Sequence, residues 1–298
     1  MELPYRLLAL DVDGTLVNSR NELSEANRAA LHRAHQAGLK ITLCTGRSLI
    51  ETAAVLDALG LDLDAGIFVF GAIITDLATR STLIRSAFSE ELAARVAAHF
   101  RSRGHPLLVL YDSTQTGIDY QLVAGEKNLS AYEAFLRMSP ARAERLADWK
   151  PLPFPPVRIG VIVSPEQIER TVADLRAEFP PERLRFNAIY APNYRVHVVE
   201  CFPPRVNKWQ ALVRLADRMG IPPSRVAALG DDVNDVEMIA RAGLGVAMGN
   251  AVESVREVAR LRVASHDEDG VADLVDRLLA GDVPPPREEG AASPDGLK

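Results

Sequence analysis

Two aspartates end an apolar segment near the start of the chain, in "LLALDVDGTLV" at residues 7–17. Asp11 and Asp13 are separated by one valine, so on an extended strand both carboxylates face the same side. A buried carboxylate costs free energy unless a positive group lies opposite it. The sequence therefore predicts a site for a cation or a ligand at the end of this segment.

A second candidate site follows the apolar residues 41–44, where Thr45, Gly46 and Arg47 lead into a predicted helix. A hydroxyl group and free backbone N–H groups at such a turn suit a phosphate group. Lys208 lies near the start of a later predicted helix and could neutralise an anion. Each signal is weak when taken singly, since a lone lysine is most often a solvated surface charge.

The most specific signal is the stretch "GDDVND" at 230–235, which follows another apolar segment. It places Asp231, Asp232 and Asp235 close together, and such carboxylates repel one another unless a cation or several donors hold them. With the two aspartates of the first segment they form a set of oxygen ligands of the kind that Mg²⁺ prefers. The sequence therefore predicts a magnesium site.

These residue types suit the transfer of a phosphoryl group. An ionised aspartate attacks without a general base because its ordinary pKa lies well below neutral pH. A phosphate ester accepts an anionic nucleophile if Mg²⁺ and a lysine offset the repulsion and the developing charge. Attack yields an aspartyl phosphate, and a second aspartate can protonate the leaving alcohol and later deprotonate the water that opens the intermediate.

Alternating strands and helices must position these groups. Strand-like residues 6–10 precede a predicted helix from Ser24, a favourable N-cap, to Gly38, a favourable C-terminal stop. Further strands are predicted at 41–44, 66–70, 225–229 and 244–248. This alternation predicts an α/β fold with a doubly wound, Rossmann-like parallel sheet, in which ligands bind at the carboxyl ends of the strands.

The middle of the chain has a different pattern. Amphipathic helices are predicted at 91–100 and 165–179, among short strand candidates, so we expect an α+β domain inserted into the core. The expected boundaries are 1–79 and 206–280 for the core, 80–205 for the insertion and 281–298 for a disordered tail rich in proline, glycine and charge.

The composition is that of a globular protein, since 47% of the 298 residues are hydrophobic and 25% are charged. A net charge of −6 and a pI of about 5.6 argue against nucleic-acid binding. No apolar segment reaches membrane-spanning length, and the first residues lack the pattern of a signal peptide. Cys44 and Cys201 have no disulfide or zinc spacing and are expected to be core thiols of a cytoplasmic protein.

The four signals, in this order, resemble the haloacid dehalogenase superfamily of phosphohydrolases. Its pattern is Asp-x-Asp-x-Thr after one strand, Thr or Ser after a second, a later Lys and a final acidic motif. Residues 230–259 and 266–279 resemble the Cof-type sugar-phosphate phosphatases in particular. The resemblance implies Mg²⁺-dependent hydrolysis of small phosphorylated metabolites, with 80–205 as a cap domain that closes over the substrate.

The resemblance also implies a role for each motif residue. Asp11 would be the nucleophile, Asp13 the general acid and base, and Lys208 the residue that neutralises the transferring group. The expected metal ligands are Asp11, Asp13 and Asp231, with Asp235 supporting the cluster from behind. The expected phosphate-binding residues are Val12, Thr45, Gly46, Lys208 and Asn234.

Two residues depart from the subfamily pattern. Phe70 stands where members usually carry Asn before Gly-Ala, and Trp209 stands where a small residue often follows the motif lysine. With Arg47 they are the candidates for substrate specificity. A phenyl ring at position 70 would favour a leaving group that is apolar, flat or small over a hexose phosphate. Alternatively, Phe70 packs in the core and never meets the substrate.

Other functions stay open beside the phosphatase. A phosphomutase or phosphotransferase would pass the phosphoryl group to a sugar instead of water. A catalytically reduced module would bind phosphate only for regulation, although a lost active site need not keep Asp11, Asp13, Lys208 and Asp231 together. We expect a monomer or homodimer that binds neither nucleic acid nor membranes.

Overall fold

The computed structural model describes residues 3–191 and 193–287. The described residues form two compact units, one within Met1–Ser48, Thr52–Arg80 and Asn207–Lys298, the other within Leu49–Glu51 and Ser81–Val206. We call them the first unit and the second unit. None of the described helices has the length and apolarity that a membrane crossing requires.

Strands and helices alternate along most of the chain. The strands are β1 (Leu7–Leu10), β2 (Lys40–Leu43), β3 (Ala65–Phe68), β4 (Ile73–Asp76), β5 (Ser81–Arg85), β6 (Leu107–Leu110), β7 (Tyr120–Val123), β8 (Ala143–Leu146), β9 (Arg158–Val163), β10 (Arg185–Ala191), β11 (Val196–Phe202), β12 (Val226–Gly230), β13 (Leu244–Ala247) and β14 (Leu261–Arg262). The helices are α1 (Glu25–Gln36), α2 (Leu49–Leu59), α3 (Glu90–Arg101), α4 (Ser113–Thr116), α5 (Leu129–Met138), α6 (Ile168–Glu178), α7 (Lys208–Arg218), α8 (Val236–Arg241), α9 (Glu253–Val258) and α10 (Gly270–Ala280).

The first unit is built on a parallel sheet with the strand order β14-β13-β12-β1-β2. Its central strands β1 and β12 are buried along their whole length, as parallel strands covered on both faces must be. Leu10 pairs with Leu229, so the carboxyl ends of these two strands lie side by side. The predicted α/β fold with a parallel sheet is confirmed.

Local signals fix α1 as the sequence predicts. Ser24 is its N-cap and accepts a hydrogen bond from the backbone N–H of Asn27 at 3.1 Å. The helix ends at Gln36, and Gly38 follows with φ +90°, a conformation that glycine adopts readily.

The predicted strand at 66–70 is too long, since β3 ends at Phe68. Val69 and Phe70 have φ values of 53° and 55°, in the left-handed region that side chains other than glycine rarely adopt. Their N–H groups donate to the carbonyls of Arg47 and Thr45, at 2.9 and 3.0 Å. These two hydrogen bonds turn the chain away from the strand direction.

The predicted tail at 281–298 is described only as far as residue 287. Residues 281–287 form hydrogen bonds with other parts of the first unit. The Tyr5 hydroxyl donates to the carbonyl of Pro284 at 2.7 Å, and Arg287 donates to the carbonyl of Ala240 at 2.9 Å. Residues 288–298 lie outside the described part of the chain.

The second unit has a mixed sheet with the strand order β10-β11-β9-β6-β7-β8, antiparallel except between β7 and β8. The predicted helices at 91–100 and 165–179 correspond to α3 and α6, which contact one face of this sheet. Leu107, Val109, Ile159, Val161 and Val199 of that face join both helices in an apolar core. Strand β7 and helix α5 carry no sequence-based prediction.

Each unit encloses one free cysteine, Cys44 in the first and Cys201 in the second. Both are buried, which confirms that they are core thiols.

A matched pair of leucines tests the core of the second unit. Leu175 of α6 is fully buried in this core, whereas Leu129 of α5 is 53% exposed. We expect Leu175→Ala to lower the free energy of unfolding by about 2–5 kcal/mol, and Leu129→Ala to change it by less than about 0.5 kcal/mol. Urea unfolding followed by the fluorescence of Trp149, which packs on this core, measures both in a Trp209→Phe background. Equal effects of the two substitutions would contradict the assignment.

Candidate active site

Three carboxylates converge at the carboxyl ends of β1 and β12. Asp11 follows β1 and Asp231 follows β12, while Asp235 lies in the short 3₁₀ turn Val233–Asp235 that comes next. Asp11, Asp231 and Asp235 each offer a carboxylate oxygen within 4.8 Å of the others. The pairing of the two strands thus brings together side chains that are more than 200 residues apart in sequence.

Lys208 is the counter-charge of this cluster. Its Nζ donates to Oδ1 of Asp11 and to Oδ1 of Asp235, both at 2.7 Å, and its side chain is only 1% exposed. Lys208 is the first residue of α7, whose N-cap Asn207 accepts a hydrogen bond from the N–H of Gln210 at 2.7 Å. The lysine is therefore a buried ion-pair partner and not a solvated surface charge.

The pKa values express the crowding of charge. Burial raises the pKa of Asp11 well above its ordinary value, and although Lys208 opposes this rise, the neighbouring carboxylates add to it. Burial, then Asp235, raises the pKa of Asp231 to about 7. Burial lowers the pKa of Lys208, but Asp11 and Asp235 outweigh this and raise it overall. The Lys208 ammonium therefore stays charged. This one positive charge does not fully compensate the negative charges of the carboxylates around it.

Asp235 binds the backbone of the segment that carries Asp231. Its Oδ2 accepts hydrogen bonds from the backbone N–H groups of Asp231 and Asp232, at 3.2 and 3.3 Å. It packs so closely against Gly230 that a Cβ atom there would lie 2.5 Å from its Cγ. These contacts fix the direction in which Oδ1 meets Lys208.

Asp231 is held by the turn that follows Asp13. Thr15 Oγ1 donates to Oδ1 of Asp231 at 3.1 Å. Gly14 has φ +71°, and a Cβ atom there would lie 2.2 Å from Oδ2 of Asp231. Glycine is therefore required at position 14 both by its backbone conformation and by the space that the carboxylate occupies.

Asp13 is paired with Arg47. Arg47 Nε donates to Oδ2 of Asp13 at 2.9 Å, and a terminal nitrogen donates to Oδ1 at 2.6 Å, which is the two-point geometry that orients a carboxylate best. The same nitrogen also donates to Oδ1 of Asn21 at 2.6 Å. The structure thus brings Arg47, expected as a specificity residue, to the predicted acid–base residue.

Val12 and Thr45, two of the predicted phosphate-binding residues, follow the carboxyl ends of the paired strands β1 and β2. Val12 and Thr45 are fully buried, and Thr45 Oγ1 accepts a hydrogen bond from the N–H of Arg47 at 3.1 Å. Asn234 lies in the same 3₁₀ turn as Asp235, and its buried Oδ1 has no hydrogen-bond partner. An unpaired buried acceptor is costly, so a ligand that donates to it would stabilise the turn.

Phe70 packs against Gly46 of the predicted phosphate-binding segment. A Cβ atom on Gly46 would lie 2.4 Å from Cζ of Phe70, whose side chain is 6% exposed. Gly71 lies equally close to Asn207, with 2.3 Å between its hypothetical Cβ and the carbonyl oxygen. Trp209 is also buried, at 7% exposure. This burial favours the interpretation of Phe70 as a packing residue.

Sequence reasoning gave no role to Thr15 or Asn250, although both contact Asp231. Thr15 belongs to the Asp-x-Asp-x-Thr pattern, and Asn250 follows the end of β13 as the aspartates follow β1 and β12. A search for every polar residue after a core strand would have found Asn250.

Comparison with known proteins gives consistent results. The sequence matches the family of haloacid dehalogenase-like hydrolases over residues 8–275. It is 29% identical over 295 residues to 5-amino-6-(5-phospho-D-ribitylamino)uracil phosphatase YwtE of Bacillus subtilis, covering 93% of this chain and 99% of the relative. HMP-PP phosphatase of Cronobacter sakazakii is 30% identical over 271 residues, with 88% and 90% covered. The crystal structure of a haloacid dehalogenase-like hydrolase from Bacteroides thetaiotaomicron matches with a TM-score of 0.75 and 26% identity, covering 92% of this chain and 99% of that chain.

The substitution Phe70→Asn tests the packing interpretation. Asparagine tolerates the left-handed conformation better than phenylalanine, which lowers the backbone strain by about 1 kcal/mol. Loss of the buried ring lowers the free energy of unfolding by about 3–5 kcal/mol. We expect a net loss of stability of about 2–4 kcal/mol, with unchanged relative kcat/KM values across a panel of phosphate esters. Thermal unfolding and steady-state kinetics measure the two effects. A shift of preference toward sugar phosphates would show instead that the ring meets the substrate.

Proposed function

This chain belongs to the haloacid dehalogenase-like hydrolases, and we propose that it is a Mg²⁺-dependent phosphatase of small phosphorylated metabolites that acts through an aspartyl phosphate on Asp11. Family membership and phosphatase chemistry, both predicted from the motifs, are confirmed. The observation that carries the proposed mechanism is the buried Asp11 carboxylate, hydrogen-bonded to Lys208 within a cluster of acidic side chains.

The charges at the site fit a divalent cation. Four carboxylates face two cationic side chains, namely Asp11, Asp13, Asp231 and Asp235 against Lys208 and Arg47. Carboxylates therefore outnumber cationic groups at the site, and carboxylate oxygens are the ligands that Mg²⁺ prefers. We assign its binding to Asp11 and Asp231, with the main-chain carbonyl of Asp13. When bound, the cation offsets negative charge on the carboxylates and on the phosphoryl oxygens.

Asp11 is the proposed nucleophile. One carboxylate oxygen forms a bond to phosphorus while the bond between phosphorus and the leaving oxygen breaks, and the electron pair of that bond goes to the leaving oxygen. Oδ1 of Asp11 already binds Lys208, which orients the carboxylate and offsets the charge of the arriving phosphate. The product of this step is a mixed anhydride, which water opens more easily than the original ester.

Asp13 is the proposed proton carrier. In its neutral form it gives a proton to the leaving oxygen, which departs as an alcohol. The resulting carboxylate then takes a proton from the water that attacks phosphorus, and the Asp11 carboxylate is released with inorganic phosphate. Arg47 contacts both oxygens of Asp13 and so sets the orientation of this side chain.

The phosphoryl group itself needs donors. We assign its binding to the Thr45 hydroxyl, the N–H groups at Val12 and Gly46, the Lys208 ammonium and the Asn234 amide. In this role Asn234 would donate through Nδ2, because its Oδ1 is an acceptor and cannot bind phosphoryl oxygens. The role of residues 80–205 as a cap that selects the leaving group stays a prediction.

The first test is metal dependence. We expect removal of divalent ions with a chelator to lower phosphatase activity by at least about 100-fold, and added Mg²⁺ to restore it. Activity is measured on a panel of sugar phosphates, nucleotides, a phosphorylated ribitylaminouracil and HMP-PP, the last two chosen from the names of the relatives. Chelator presaturated with Mg²⁺ is the control for direct inhibition. Undiminished turnover after chelation would refute the metal requirement.

The second test is the covalent intermediate. Asp11→Asn keeps the shape of the side chain but removes the nucleophilic charge, so we expect kcat to fall by at least about 1,000-fold. Asp13→Asn should slow turnover by about 100- to 10,000-fold through loss of proton transfer. Acid-quenched wild-type protein should carry one phosphoryl group on the peptide that contains Asp11. The exposed Asp57→Asn is the matched control, and near-normal rates in Asp11→Asn would exclude this mechanism.

A further inference from the structure

The side chain of Asn250 uses three hydrogen bonds to join separate parts of the first unit. Its Nδ2 donates to the carbonyl of Gly14 at 2.8 Å and to Oδ2 of Asp231 at 3.2 Å. Its Oδ1 accepts from the backbone N–H of His266 at 3.0 Å. A side-chain amide carries two donor hydrogens, so both are used here, and the N–H of His266 fixes which end of the amide faces Asp231.

The backbone around Asn250 is tied to the strand end that carries Asp231. The N–H of Met248 donates to the carbonyl of Gly230 at 3.1 Å, and the N–H of Val252 donates to the carbonyl of Asp231 at 2.8 Å. These two backbone hydrogen bonds, one before and one after Asn250 in the sequence, fix its position relative to Asp231.

Asn250 completes the set of donors on the Asp231 carboxylate. Thr15 donates to one oxygen and Asn250 to the other, and both donors are uncharged. A carboxylate oxygen has more than one acceptor direction, so these bonds orient Asp231 and leave further lone pairs for a cation. Neutral donors of this kind orient a metal ligand without competing with the metal for its charge.

The same region holds the loop that follows the two aspartates of the first motif. The backbone N–H of Ser19 donates to Oδ1 of Asp267 at 2.9 Å, and its hydroxyl donates to Oδ2 at 2.6 Å. Ser24 donates to Asp269 at 2.6 Å. Asn250 connects this region to the active site, because it binds His266 on one side and Gly14 and Asp231 on the other.

We propose that Asn250 is a positioning residue that fixes the Asp231 carboxylate and the Gly14 turn in the arrangement that binds Mg²⁺. The proposal rests on the proposed function, because it takes Asp231 as a ligand of the cation. Asn250 touches neither the substrate nor the reacting atoms. Its effect is on the affinity of the site for the metal.

The test measures Mg²⁺ binding in the absence of substrate. The unfolding temperature of the intact chain, followed as a function of Mg²⁺ concentration, gives the dissociation constant for Mg²⁺. We expect Asn250→Ala to weaken binding by about 10- to 100-fold, as loss of a residue that orients a metal ligand does. Asn250→Leu, which fills the same space without a donor, should behave alike.

Asn18→Ala is the matched control. Oδ1 of Asn18 accepts from the N–H groups of Arg20 and Glu22, at 2.9 and 3.1 Å, so its removal loosens the same loop while the Asn250 contacts remain. This variant should bind Mg²⁺ like the wild type. Wild-type affinity in both Asn250 variants, with binding abolished in Asp231→Asn, would overturn the positioning role alone. A wild-type protein that Mg²⁺ does not stabilise would overturn the proposed function and this inference together.

Discussion

One ammonium group holds two buried carboxylates together at the ends of the central strands. Lys208 lies 2.7 Å from both Asp11 and Asp235, and all three side chains are almost completely buried. Removing one partner from such a buried cluster costs about 3–5 kcal/mol, because the remaining charges have neither water nor a counter-ion. The start of α7, the ends of β1 and β12 and the turn at 233–235 must therefore keep their positions relative to one another.

The turn Val69–Gly71 provides a second link between these parts. Phe70 packs on Gly46 in the segment assigned to phosphate binding, and Gly71 packs on the carbonyl of Asn207, the residue that caps the lysine helix. Two successive residues in the left-handed region cost of order 1–3 kcal/mol each and persist only where surrounding contacts fix them. The contacts of Phe70 and Gly71 thus hold this turn between the predicted phosphate-binding segment and the start of α7.

The sequence predicts the parts of the site that follow directly from a strand end. Asp11 and Asp231 are found because apolar parallel strands are easy to recognise and their carboxyl ends lie at one edge. The pairing of Arg47 with Asp13 and the bridge made by Asn250 depend on side-chain directions in loops, which no periodic pattern encodes. The end of β3 was misplaced because the apolar residues "GIFVF" fit a strand locally, whereas hydrogen bonds to Thr45 and Arg47 determine the turn.

The two buried thiols offer a way to time motions inside the molecule. Sγ of Cys44 lies 3.9 Å from the carbonyl oxygen of Lys208, and Cys201 lies in the core of the second unit. Burial raises the pKa of both thiols, so neither forms a reactive thiolate until the structure around it opens. The rate at which an alkylating reagent labels each cysteine then reports the rate of local opening in that unit when labelling is faster than reclosing. When reclosing is faster, it reports the equilibrium constant of that opening. Cys44 would report on openings directly behind the acidic cluster, and Cys201 on those of the inserted sheet.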